Sequence, residues 1–188
     1  MLPIPELVHL KPQSNISMVL PPRLSLRYHP LFLELGRHIQ KKTWGSLRGA
    51  HILGTVIDRL QAAELVALFS YIFGLPEHHR INYQGSLIHV VLLYPAAASE
   101  LLFTVLPSGI AKTSLWGSLS FDQVQMVEFR FGQDCFIAHT SKEGHMYHLA
   151  LPEGTPEEYR ALDIQRGRRV LSWDLENQVD NFIKSLTL

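Results

Sequence analysis

Ten histidines (His9, His29, His38, His51, His78, His79, His89, His139, His145 and His148) mark this chain of 188 residues. A neutral imidazole is a common nitrogen ligand for haem iron and for zinc. The histidines are scattered, and no H-E-x-x-H or other tight metal pattern gathers them, so no dedicated metal site is expected. The set that could converge is His89, His139, His145 and His148, because neighbouring antiparallel strands bring such residues within a few ångströms. His145 and His148 are an odd number of residues apart and face opposite sides of a regular strand. His78-His79-Arg80 falls between a helical and a strand-like segment, where it reads either as an exposed linker or as the rim of a cleft.

Other chemistry finds less support. No G-x-S-x-G elbow frames a serine nucleophile, and no carboxylate pair suits glycosidase-type acid and base work. Whether the chain is an enzyme is left open. Gly45-Ser-Leu-Arg48-Gly49 lacks the Lys-Ser/Thr that a phosphate loop needs. Cys135, the single cysteine, excludes an intramolecular disulfide and every multi-cysteine metal pattern, and reads as a structural thiol in a reducing compartment. Residues 1–6 show no basic region ahead of an apolar one, and no apolar run nears the ~18 residues of a membrane span. The cytoplasm is the expected location.

Lys+Arg and Asp+Glu balance at 17 each, but not evenly along the chain. Residues 1–60 hold eight Lys/Arg against three acids, which makes the N-terminal third the basic face. Arg37, Lys41, Lys42 and Arg48, interleaved with Tyr28 and Trp44, could contact phosphates while the aromatics stack on bases.

The elements that must position these residues follow from periodicity and punctuation. Residues 1–30 are rich in proline and read as a wrapping arm, with Glu6–Leu10 as a short strand. Leu31, Phe32, Leu35 and Ile39 predict a helix over 31–42, and the glycines of 43–54 a loop or a broken first helical turn. Leu65, Leu68, Phe69, Ile72 and Phe73 predict a helix over 55–73, stopped by Gly74 and Pro76. Strand-like runs follow at 87–94, 101–106, 113–120, 124–131, 135–140 and 145–151, with Pro107-Ser108-Gly109 as a turn. The last two form the clearest hairpin and the expected centre of the sheet. Thr155-Pro156-Glu157-Glu158 starts a helix over 156–165. Ser172 can cap a last helix whose stripe is Leu175, Val179, Phe182, Ile183 and Leu186. The expected whole is one α+β domain over 1–188, an antiparallel β-meander packed by N-terminal and C-terminal helices.

Within this order, three segments carry a family resemblance: Glu100–Gly109 closed by Leu-Pro-Ser-Gly, Val124–Phe131, and the hairpin around Ser141-Lys-Glu-Gly144 up to Leu151. Over residues 87–165, with gaps, the chain resembles the intracellular haem-utilisation proteins, a haem carrier and storage family. The resemblance implies haem as cofactor and a strand histidine, His89 or His139, as its ligand. The competing expectation is a binding or inhibitory module that contacts a protein or nucleic acid through Arg37, Lys41, Lys42 and Arg48. Ile4–Pro12 is similar to the entry strand of the partition-protein and sulfiredoxin superfamily, which would imply a DNA-acting fold. A homodimer is compatible with either expectation.

Overall fold

The computed structural model describes residues 26–106, 113–132 and 134–165. The Glu6–Leu10 strand, the Pro107–Gly109 turn and the last helix lie outside these residues, as does all of the arm before residue 26.

Helix α1 spans Pro30–Gln40. Proline fits its first turn because that position has no N–H to satisfy, and the His29 imidazole accepts from the Leu31 N–H at 3.3 Å. Strand β1 spans Leu47–Val56 and runs into helix α2, Arg59–Phe73, through only Ile57 and Asp58. The Asp58 carboxylate caps α2 by accepting from the Gln61 N–H at 2.8 Å, and Gly74, at φ 96°, ends it. The strands that follow are β2 (His78–Gln84), β3 (Leu87–Tyr94), β4 (Ala97–Val105), β5 (Ser114–Phe121), β6 (Met126–Phe131), β7 (Phe136–Thr140) and β8 (Met146–Leu149). Helix α3, Pro156–Gln165, starts with a reciprocal capping box: Thr155 and Glu158 each accept from the other's backbone N–H, at 3.3 and 2.7 Å.

The fold is α+β, with helices towards both ends of the described chain and a mostly antiparallel sheet between them. Its eight strands run in the order β2-β3-β4-β1-β5-β6-β7-β8. Among the described strands only β1 and β4 pair in parallel. The segment expected as a loop or a broken helical turn, 43–54, thus supplies most of the central strand, and the β7–β8 hairpin lies at an edge. Strand β2, exposed along its length except at Ile81, forms the other edge.

One face of the sheet is covered. Leu31, Phe32 and Leu35 of α1 and Leu65, Phe69 and Ile72 of α2 join Ile52, Ile88, Val90, Leu101, Phe103, Leu115 and Phe129 in one buried cluster. Phe32, Phe69 and Phe129 form a triangle with ring centroids 6.0–6.3 Å apart. Burying each ring contributes roughly 2–3 kcal/mol. Gly117, next to Phe129 in the β5–β6 register, leaves room for that ring: a Cβ there would stand 2.0 Å from Phe129 Cε1.

The opposite face follows from the same alternation. His51 and Leu53 of β1, His89 of β3, Glu100 and Leu102 of β4, Trp116 of β5 and Glu128 of β6 alternate with the buried residues. Leu53 is 46% exposed on the middle strand of the sheet. Among the described residues no helix lies on this face.

Candidate functional site

Two groups of chemically capable side chains form, one on each face. On the open face the parallel register sets His51 opposite Glu100, and His51 Nδ1 lies 3.1 Å from Glu100 Oε2. With His89, Asn82 and Gln84 they rim a half-open cleft of about 550 Å³, whose floor includes Leu53 and Leu102. The carboxylate orients the imidazole and holds its second nitrogen clear, an arrangement able to take or give a hydrogen bond to a ligand.

The second group lies where α1 meets β7. Glu34, 7% exposed, receives hydrogen bonds from Arg37 Nε at 2.9 Å and from His38 Nε2 at 3.0 Å. Burial alone would raise its pKa, but the His38 and Arg37 hydrogen bonds and their positive charges prevail and hold it at about 2. His38 stacks on Trp44, ring centroids 4.3 Å apart. Beyond Trp44 stands His139, itself stacked on Tyr147 at 5.1 Å. Burial lowers the pKa of His139, and the charge of His38 lowers it further.

That lowered value has a direction. A base whose pKa is depressed in the folded state stays neutral there while the unfolded chain takes up its proton, so stability falls as pH drops below the ordinary value near 6.5. His139→Phe is expected to lose less stability than the wild type between pH 7.5 and 5.5, read as the shift in urea midpoint. Equal shifts would remove His139 as a contributor.

The sequence-derived candidates do not converge. His89 lies on the open face, whereas His139 pairs with core Val127 and lies on the helix-covered face. Four strands separate β3 from β7, about 24 Å at ordinary strand spacing. One pocket cannot use both. Arg37 is paired with Glu34, and Arg48 lies 3.6 Å from Asp122. Lys41 and Lys42 follow the C-terminus of α1. Among the described residues no three His, Cys, Asp or Glu side chains gather as a metal site, and no helix is long and apolar enough to cross a membrane. The residues that sequence reasoning passed over are Glu34, His38, His51 and Glu100. The i, i+4 spacing of Glu34 and His38 could have signalled the first pair.

No family model matches the chain, and no curated protein matches it. Solved structures do. An oxidoreductase from Sinorhizobium meliloti superposes with a TM-score of 0.60 at 13% identity, covering 85% of this chain and 59% of that one. An oxidoreductase domain protein from Kribbella flavida gives 0.60 at 11% identity, covering 86% and 62%. An oxidoreductase from Agrobacterium radiobacter, in complex with NAD+, L-tartaric acid and magnesium, gives 0.53 at 10% identity, covering 76% and 54%. At these identities the likeness establishes the fold, and the chain spans less than two thirds of each of these proteins.

These matches overturn the resemblance to haem-utilisation proteins, and with it haem as the cofactor: the proteins that share the fold are oxidoreductases. The nucleic-acid or inhibitory module and the partition-protein likeness have no counterpart among them either.

The chain's own residues do not suit a nicotinamide dinucleotide. Its twelve glycines include no G-x-G-x-x-G, the turn that lets a backbone approach pyrophosphate. The tight strand-to-helix turn, β1 to α2, contains no glycine and presents the Asp58 carboxylate at the helix N-terminus. An anion there would meet like charge where it needs bare N–H groups.

Proposed function

We propose that this chain is the sheet domain of an oxidoreductase-type protein, acting as a binding and assembly module rather than holding the dinucleotide itself. The observation that carries the reading is the pairing of an oxidoreductase-type sheet fold with a strand-to-helix turn closed to phosphate. The nicotinamide chemistry then belongs to a separate nucleotide-binding domain, and the open sheet face, with the His51–Glu100 cleft, is this chain's working surface. The single cysteine supports a reducing, cytoplasmic setting. Titrating NADH into the full chain while following nicotinamide fluorescence tests the reading. No saturable change is expected up to about 1 mM, the weak end of ordinary affinities. Saturation in the micromolar range would overturn it.

A further inference from the structure

We infer that strand β8 is an acid-released latch: it closes on the sheet edge through the His139–Tyr147 stack while His139 is neutral, and protonation of His139 detaches it. The inference stands on the packing around β7 and is independent of the proposed function.

Strand β8 is held by little. It has four residues and, among the described strands, pairs with β7 alone. Met146 and Tyr147 are 61% and 47% exposed. Its side-chain anchor on the helix-covered face is Tyr147, which stands opposite His139 in the register with the two rings 23° from parallel. Tyr147 thus roofs His139, and Trp44 lies on the ring's other side at 6.2 Å. An edge strand with so few buried contacts opens at lower cost than the core strands.

The closed latch has no place for a proton on His139. Its Nδ1 is buried and has no hydrogen-bond partner. A bare lone pair is tolerated there, but an imidazolium needs both N–H groups satisfied and its charge solvated. The surrounding groups do not supply this. Helix α1 turns Glu34, Arg37 and His38 to the seam, and both basic side chains already occupy the Glu34 carboxylate. Strand β8 brings Tyr147 and, beyond it, His145, whose partner Glu143 lies 3.7 Å away in the exposed turn. Strand β6 presents Val127, Phe129 and Phe131, none of which titrates. Helix α3 brings Tyr159, held above its ordinary pKa by burial, Glu158 and Glu34, and the Glu158 carboxylate is engaged in the capping box. Lifting Tyr147 away admits water to Nδ1, so the proton and the open form favour each other. The lowered pKa of His139 in the closed form, from burial and the charge of His38, has the same direction.

Amide hydrogen exchange on the full chain tests this, with each rate normalised to the intrinsic rate at that pH. An open state titrating near 6.5 gains up to about tenfold in population between pH 7.5 and 5.5. Protection over 136–149 is therefore expected to fall by up to about tenfold across that range, while protection over 87–94, on β3, stays level. His139→Phe keeps a ring under Tyr147 and should abolish the fall, whereas His145→Gln should retain it. Tyr147→Ala, at an exposed position, should already show low protection over 136–149 at pH 7.5. An equal fall in both segments would mean loosening of the whole fold and would overturn the inference. So would a fall that persists in His139→Phe or disappears in His145→Gln, or a Tyr147→Ala chain protected like the wild type.

Discussion

Gly117→Ala is expected to destabilise the fold by about 2–3 kcal/mol, near the upper end for overpacking a core. The reason is specific. Gly117 lies on β5 next to Phe129 of β6, and a Cβ there would penetrate the fully buried phenyl ring at 2.0 Å from Cε1. The ring cannot retreat, because Phe32 of α1 and Phe69 of α2 close around it. Phe129→Ala alone should cost about 3–5 kcal/mol by opening a cavity among those rings. Phe129→Leu in the Gly117→Ala chain should recover part of the loss, because the branched chain is shorter than the ring. A double-mutant cycle in urea reads this coupling directly, and additive costs would show that the two sites do not share one space.

Glu34→Gln carries the second large effect. Its carboxylate sits at about 2 instead of 4.5, held by His38 and Arg37 against a burial that pushes the other way. A depressed carboxylate stabilises the fold above its unfolded pKa, and that contribution disappears as pH falls through the folded value. At ~1.4 kcal/mol per pKa unit the contribution at pH 7 is at most about 3 kcal/mol. The wild type should therefore exceed Glu34→Gln by up to that amount at pH 7, and the gap should narrow steadily between pH 4.5 and 2. Parallel stability curves across that range would show that the charge contributes nothing.

How far this arrangement could be read in the sequence depends on the range over which each signal acts. Local signals were sound: the Leu31–Phe32–Leu35 stripe for α1, Gly74 as the stop of α2, and the Thr155–Glu158 box for α3. The β7–β8 hairpin was legible too, since its turn lies within one short segment. Strand β1 was not. Gly49 and Gly54 resemble breakers, yet Gly54 lies where the Leu115 and Phe103 side chains close over the strand and leave no room for a Cβ. Strand β2 was missed because it is a mostly exposed edge strand whose only contribution to the core is Ile81, too short a signal to stand out.

Long-range order was less accessible still. Nothing local to residues 47–56 announces that they pair in parallel with Ala97–Val105, and this register creates the His51–Glu100 contact. His89 and His139 looked equivalent as strand histidines. Their separation depends on strand order and on which neighbours the helices cover, both tertiary properties. The haem-utilisation resemblance failed for the same reason: it rested on strand–turn–strand segments, which many antiparallel sheets share.

The central claim, that the described helices cover one face of the sheet and leave the other open, is tested most directly by thiol labelling of adjacent residues. Ile52→Cys and Leu53→Cys are made in a Cys135→Ser background and followed at submicromolar protein. Ile52 is 1% exposed and Leu53 is 46% exposed, so the two neighbours report opposite faces. The expected result is a Leu53→Cys thiol reacting within a few-fold of a free cysteine, and an Ile52→Cys thiol slowed at least ~100-fold, because it reacts only through opening of the fold. Equal protection at both positions in dilute solution would contradict the account.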